Sequence, residues 1–188
     1  IKYLGQVCRG DLGYSFYYDQ SVAALLIGHL PTTLMLTLSA LVLAVIIGTL
    51  FGVYAALKPN GIFSNFVTVL SLFGYATPVF WLGMIILLVF ALYLPLFPAF
   101  GIRSWPQPEN TFDRILDMIH HLVLPTFTLA ILYLASYSRI SRASMLDVLG
   151  SDYIRTARTK GLSEFRVIFK HALKNAAMPV VTLAGLQL

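Results

Sequence analysis

Residues 30–57 read LPTTLMLTLSALVLAVIIGTLFGVYAAL, and this stretch decides the class of fold. It contains no Asp, Glu, Lys or Arg. It is also longer than the roughly 20 apolar residues that a helix needs to cross a hydrocarbon core of about 30 Å. Its apolar residues follow one another without the sustained alternation that is typical of a membrane-barrel strand. The stretch therefore predicts a membrane-spanning helix.

Further apolar runs follow along the chain. Residues 66–94 contain no charged side chain, and residues 122–138 form a third run with His120 and His121 at its edge. A fourth run begins near Ala176 and continues to the last residue, Leu188. The pattern predicts an all-α fold of several membrane helices, and we expect the sequence to be part of a longer protein.

The composition supports this fold class. Of the 188 residues, 58% are apolar and 11% are charged, against about 25% charged residues in an average soluble protein. The mean hydropathy is +0.80. Too little polar sequence remains to surround four buried helices with a water-facing shell, which excludes a soluble globular domain and a disordered chain. One cysteine, Cys8, excludes a disulfide framework.

Lys and Arg divide unevenly between the two sets of connecting segments. Residues 1–20 and 95–119 carry four of them, whereas residues 58–64 and 139–175 carry nine. Loops rich in Lys and Arg remain in the cytoplasm. We therefore predict an extracytoplasmic segment at 1–20, followed by a transmembrane domain over 21–188 that includes a cytoplasmic loop at 139–175.

The second apolar run contains a helix-breaking sequence. Pro78 lacks a backbone N–H and clashes with the preceding turn, so we predict a kink or break near Tyr75, Thr77 and Pro78. Within a bilayer, a broken helix is tolerated where it packs on protein or lines a water-filled path. Both interpretations, a packing kink and a lining of a transport pathway, remain open from the sequence.

Several kinds of site are absent from the sequence. No lysine follows a glycine, so there is no GxxxxGK[ST] phosphate loop, and ATP hydrolysis would require another polypeptide. Adjacent helical residues point about 100° apart, which argues against His120 and His121 holding one metal ion. We predict no metal or cofactor site. Gly48 and Gly52 form a small-xxx-small pattern that permits close approach of another helix.

The basic segment 139–175 carries two sets of apolar residues at the i, i+3, i+4 spacing of amphipathic helices, at positions 145, 148 and 149 and at positions 165, 168 and 169. Between the two sets, Gly161 suits a left-handed helix end, and Ser163 is a candidate cap of the next helix. The segment could lie on anionic lipid or dock a cytosolic partner. A lipid-surface helix does not need a glycine corner, which favours docking.

Two stretches of this basic segment resemble the sequence of a known protein family. DYIRTARTKGLSE at 152–164 and HALKNAAMPVVT at 171–182 resemble the cytoplasmic signature loop of ABC-importer permeases, in the dipeptide, oligopeptide and nickel branch. The shorter matches RGDLGYS (9–15), LPTTL (30–34), PVFWLG (78–83) and LPT (124–126) agree with the same branch. In the wider family the loop reads EAA, three residues, Gly, nine residues and I-x-L-P.

Ala157, Gly161 and Leu173 match the family pattern, whereas Arg155 and Thr156 replace its Glu and first Ala, and His171 and Lys174 replace its Ile and Pro. The resemblance implies that this loop couples the membrane helices to an ATPase. The residues to which it assigns that role are Asp152, Ala157, Lys160, Gly161, Leu162, Ser163 and Glu164.

The resemblance implies a permease subunit of an ATP-driven importer rather than an enzyme. It implies a second permease chain, as a heterodimer, together with two cytosolic ATPase subunits, an extracytoplasmic substrate-binding protein and the surrounding lipid, but no nucleic acid. Peptide is the favoured cargo, and nickel or a glutathione-like conjugate remains open. A membrane scaffold that does not transport, or a channel, are the alternatives from other classes.

Overall fold

The computed structural model describes residues 2–7 and 9–187, so Cys8 and the chain ends Ile1 and Leu188 lie outside the described residues. Most of the described residues are helical, and the strands contain two residues each, which confirms the all-α prediction. The chain divides into two compact units, Ile1–Thr37 and Leu38–Leu188.

In the first unit, a short helix and a hairpin of two two-residue strands precede a long helix. The elements are α1 (Lys2–Val7), β1 (Tyr14–Ser15), β2 (Gln20–Ser21) and the beginning of α2 (Val22–Leu57). The two strands pair antiparallel, and the Tyr14 hydroxyl donates a 2.6 Å hydrogen bond to Asp19, which raises the pKa of Tyr14. The first membrane helix thus begins several residues before position 30.

The second unit contains the rest of α2 and the remaining helices. These are α3 (Ile62–Ala76), α4 (Val79–Leu87) with a first π-helical segment (Leu88–Tyr93), α5 (Thr111–Leu149), α6 (Asp152–Thr159), α7 (Glu164–Arg166), a second π-helical segment (Val167–Ala172), α8 (Leu173–Ala176) and α9 (Met178–Gln187). By length and composition, α2 and α5 can each cross a membrane. The helix α5 begins at Thr111, well before the third apolar run at 122–138.

The second apolar run is broken, as predicted, and forms either one broken span or a re-entrant loop. It forms two helices, Ile62–Ala76 and Val79–Tyr93, bent by 105°. The break lies where the sequence places it, since Thr77 adopts an extended backbone and α4 starts directly after Pro78. A residue before proline is pushed out of the helical region, so α3 cannot continue through Thr77. The hydroxyl and N–H of Thr77 both donate to the Phe73 carbonyl and close the end of α3.

Glycine allows α2 to approach α5 closely. A Cβ built at Gly48 would lie 2.7 Å from Tyr137 Cβ, and one at Gly52 would lie 2.6 Å from the Ser138 carbonyl oxygen. Real side chains do not approach so closely, so only glycine fits at these two positions. The small-xxx-small prediction is confirmed, and its neighbour is a helix of this same chain.

Hydroxyl pairs join α5 to its neighbours inside the bundle. Ser71 of α3 and Ser138 of α5 lie 2.8 Å apart, and Ser39 of α2 and Thr126 of α5 lie 2.9 Å apart. Helices in lipid have little hydrophobic drive to associate, so such bonds and close packing hold them together. These contacts place α5 between α2 and α3.

Candidate docking site at the basic end

The end of the bundle that carries the basic segment, called the basic end here, is built on one apolar cluster. Ile154 and Ala157 of α6 are buried in this cluster against Val53 and Ala56 from the end of α2 and Met145 from the end of α5. The second π-helical segment and α8 complete it. Because α6 is anchored to both long helices at once, a force on α6 acts on both.

The corner after α6 is a Schellman motif centred on Gly161. Gly161 has φ +77°, its N–H donates to the Arg158 carbonyl at 2.9 Å, and the Leu162 N–H donates to the Ala157 carbonyl at 3.4 Å. This is the bond pair that closes a helix with a left-handed residue. Leu162 packs back onto the apolar cluster, which is the hydrophobic contact that usually accompanies this motif. The predicted left-handed helix end is confirmed.

A bidentate ion pair crosses the corner. Arg158 Nε lies 3.0 Å from Glu164 Oε1, and Arg158 Nη2 lies 3.3 Å from Glu164 Oε2. Two parallel N–H···O bonds fix the mutual orientation of the planar groups. The pair between Arg155 and Asp152 is 3.8 Å long and almost fully exposed, so it contributes little.

The sequence-predicted docking residues divide by exposure. Asp152, Lys160, Gly161, Ser163 and Glu164 are exposed, Leu162 is half-buried, and Ala157 is buried. Lys160, Gly161, Ser163 and Glu164 form the tip of the corner, where a partner can reach them, whereas Asp152 lies at the other end of α6. Ala157 instead attaches the corner to the bundle, so its small side chain serves packing rather than contact.

The chain after the corner differs from the expected single helix. Ser163 occupies the N-cap position, but its side chain makes no capping hydrogen bond, so the prediction of a side-chain cap is wrong. α7 is only three residues long and passes into the second π-helical segment. This irregular course places Phe165, 73% exposed, beside the corner, with its ring centroid 4.8 Å from that of Phe169.

A second feature is a cavity of about 510 Å³ between α3 and α5. Thr68 and Ser71 line it from α3, and Arg139 and Arg142 line it from α5. The guanidinium carbon of Arg139 lies 5.2 Å from the centroid of the Tyr75 ring, which belongs to the last turn of α3. In the sequence, Arg139 is only one cation of the basic segment, because nothing in the sequence sets the register of α5 against α3.

Comparison with known proteins defines the class to which these features belong. The chain belongs to the family of inner membrane components of binding-protein-dependent transport systems, whose model matches residues 48–188. The match includes the break, the close contact of α2 with α5 and the whole basic end.

Similar individual proteins are transport permeases. The chain is 43% identical to the oligopeptide transport system permease protein AppB of Bacillus subtilis, over all of the chain and 58% of that protein. It is 39% identical to the di/tripeptide transport system permease protein DppB of Pseudomonas aeruginosa and 36% identical to the dipeptide transport system permease protein DppB of Escherichia coli. Each of these two alignments covers all of the chain and 60% of the relative. The chain therefore spans about three fifths of the length of these relatives.

Proposed function

We propose that this chain is the membrane-spanning part of a permease subunit in an ATP-driven importer of di- or oligopeptides. The observation that carries the proposal is the glycine-cornered tip at 157–164, anchored by Ile154 and Ala157 to the ends of α2 and α5. A rigid, exposed corner attached to two long helices suits the transfer of force between a soluble partner and a membrane bundle. The names of the similar permeases support peptide as the cargo.

The proposed partner at the corner is a cytosolic ATPase subunit. The tip presents Lys160, Ser163 and Glu164 on its surface, Asp152 is exposed at the other end of α6, and the backbone shape of the tip is fixed by the Schellman bonds around Gly161. Closure of two ATPases around ATP would shift two such corners, one on this chain and one on a second permease subunit. Since α6 is packed on α2 and α5, the shift tilts both helices and changes which side of the membrane has access. A binding protein on the opposite side delivers the cargo.

The proposed pathway passes the break between α3 and α4. Tyr75, Thr77 and Pro78 mark the break, and Tyr75 is 72% exposed in the described chain. Backbone that leaves the helix at membrane depth needs protein or water around it. Thr77→Cys tests whether the break lines the pathway. Reaction of this cysteine with a membrane-impermeant thiol reagent in the assembled transporter supports the pathway. Protection from the reagent supports the alternative of a packing kink.

Crosslinking tests the docking site directly. In the complete transporter, Ser163→Cys should form a crosslink to an ATPase subunit, because Ser163 lies on the exposed tip. Ser141→Cys is the matched control, since Ser141 is buried between α2 and α5 and should give no such product. A scaffold or a channel would show no ATP-dependent uptake in the same preparation, and a channel would conduct without ATP.

Substitution of Gly161 tests the shape of the corner. Gly161→Val should insert into the membrane normally but abolish dipeptide uptake or ATPase assembly, because a β-branched residue is poorly tolerated at φ +77°. Gly161→Asn should retain most uptake, since Asn adopts this conformation readily. Gly150→Val is the matched control, because Gly150 also ends a helix but has φ −79°. Uptake by Gly161→Val at the level of the control would rule out the corner as the coupling element.

A further inference from the structure

The side chain of Arg139, well before the end of α5 at Leu149, extends away from the basic end towards Tyr75. The neighbouring contacts fix the level of α5 against α3: Arg142 donates to the Ser64 hydroxyl near the start of α3, and Ser138 pairs with Ser71. Tyr75 lies beyond Ser71 on the side away from the basic end. It follows Ser64 by eleven residues, which is about 16 Å of helix.

Long cationic side chains near the ends of membrane helices normally extend towards the interface. Arg139 instead extends along α3 away from the basic end and lies over Tyr75, and both side chains are exposed in the described chain. A cation that lies away from the ends of membrane helices usually faces a bundle interior or a water-filled cavity. Its orientation therefore requires an explanation beyond the positive-inside bias.

The charge of Arg139 is not neutralised within the described chain. Among residues 2–7 and 9–187, the ion pairs join His121 with Asp117, Arg155 with Asp152, and Arg158 with Glu164. Arg142, which lines the same cavity, bonds only neutral oxygens of Ser64 and Pro59. Two positive charges thus line one cavity without a carboxylate partner from the described part of the chain.

The other polar groups of the cavity are already bonded. The Thr68 hydroxyl donates to the Ser64 carbonyl, and the Ser71 hydroxyl donates to the Val67 carbonyl. The guanidinium of Arg139 therefore supplies the free donors, in a planar fork that matches the two oxygens of a carboxylate. The cavity volume, about 510 Å³, lies in the range of roughly 300–1,000 Å³ that is common for small-molecule sites.

We propose that Arg139, supported by Tyr75, binds the carboxylate of the transported peptide as the cargo passes the break between α3 and α4. This inference rests on the proposed function and adds a specificity-determining residue to it. Every unmodified peptide carries a terminal carboxylate, so one guanidinium recognises a whole class of cargo without reading its side chains. The same cation repels a bare divalent metal ion, which favours peptide over nickel.

The test restores the charge chemically. In a Cys8→Ser background, Arg139→Cys is placed in the complete transporter, with its second permease subunit, ATPases and binding protein, in proteoliposomes. Dipeptide uptake below saturation should fall about tenfold, which corresponds to the loss of one charge-assisted hydrogen bond. A thiol reagent that adds an ammonium group should restore most of the uptake, whereas neutral and sulfonate reagents of similar size should not. Lys170→Cys, an exposed cation outside the proposed sites, should be insensitive to all three reagents.

The outcomes separate this inference from the proposed function. If the unsubstituted transporter imports neither dipeptides nor oligopeptides, the proposed function is wrong. If it imports dipeptide and Arg139→Cys imports equally well, or if the neutral reagent restores uptake as fully as the cationic one, the proposed role of Arg139 is wrong and the importer remains. Failure of all three reagents to modify the cysteine, judged by mass, contradicts a wet pathway at this position. Loss of a co-purified anionic phospholipid with unchanged uptake would assign Arg139 to lipid instead.

Discussion

The helix α5 meets its two neighbours in opposite ways. At the contact with α2, Gly48 and Gly52 have no side chains, and a Cβ at Gly52 would lie 2.6 Å from the Ser138 carbonyl oxygen. Against α3, a Cβ at Gly74 would lie 3.3 Å from the Ile131 carbonyl, and a cavity of about 510 Å³ opens nearby. The α6 corner is packed on the ends of α2 and α5. From this difference we expect α2 and α5 to move as one unit with the corner, and relative movement to be least costly between α5 and α3.

Enlarging the α2–α5 contact gives the largest expected effect. Gly52→Leu should destabilise the bundle by about 3 kcal/mol or more, because a close-packed interface cannot accept a side chain without moving backbone. Loss of the solubilised, monodisperse species on heating, followed by size-exclusion chromatography, measures the effect. Gly28→Leu is the matched control in the same helix, since a Cβ at Gly28 has no atom within 4 Å.

A stability of Gly52→Leu equal to that of Gly28→Leu would show that α2 and α5 separate easily. The distinction between the two neighbours of α5 would then fail. Gly74→Ala tests the contact of α5 with α3. Its Cβ contacts at 3.3 and 3.4 Å need only a small adjustment, so we expect it to cost less than Gly52→Ala in the same assay.

The sequence predicts those parts of the fold that depend on local chemistry. The gaps between charges locate α2 and α5, and Pro78 locates the break because the effect of proline on the preceding residue is local. Gly161 is recognised for the same reason, since few residues other than glycine adopt its backbone conformation. Each of these predictions depends on a few adjacent residues.

The missed features depend on tertiary contacts. Pro31 and Pro125 lie inside continuous helices, so proline alone does not distinguish a break from a tolerated position. The second corner, where α5 ends before α6, is not predicted from the sequence, because Gly150 has an ordinary φ of −79°. The 105° angle at Pro78 and the reach of Arg139 over Tyr75 are set by how α3 packs on α5. The most informative residue of the candidate pathway is thus the one that the sequence presents as an ordinary surface cation.

An intermediate effect is expected for the hydroxyl pairs on the two sides of α5. A double-mutant cycle on Ser71→Ala and Ser138→Ala should give a coupling of about 0.6 kcal/mol, the average for such bonds between membrane helices. The same cycle on Ser39→Ala and Thr126→Ala measures the α2 side. If α3 moves against α5 during transport, a non-hydrolysable ATP analogue should reduce the first coupling and leave the second unchanged. Equal couplings in both states for both pairs would contradict the inferred movement.

The smallest effect is expected at the tip of the corner. Glu164→Gln breaks the bidentate pair with Arg158, but both side chains are more than two-fifths exposed, so the loss of stability should be roughly 0–1 kcal/mol and should decrease with added salt. Exchange of the two charges in Arg158→Glu with Glu164→Arg should recover the difference, which thermal unfolding at low and high salt can measure. A larger, salt-independent loss would mean that the ion pair shapes the corner. A small loss would leave the backbone bonds of Gly161 and Leu162 as the determinant of its shape, because these bonds are retained when the charges are removed.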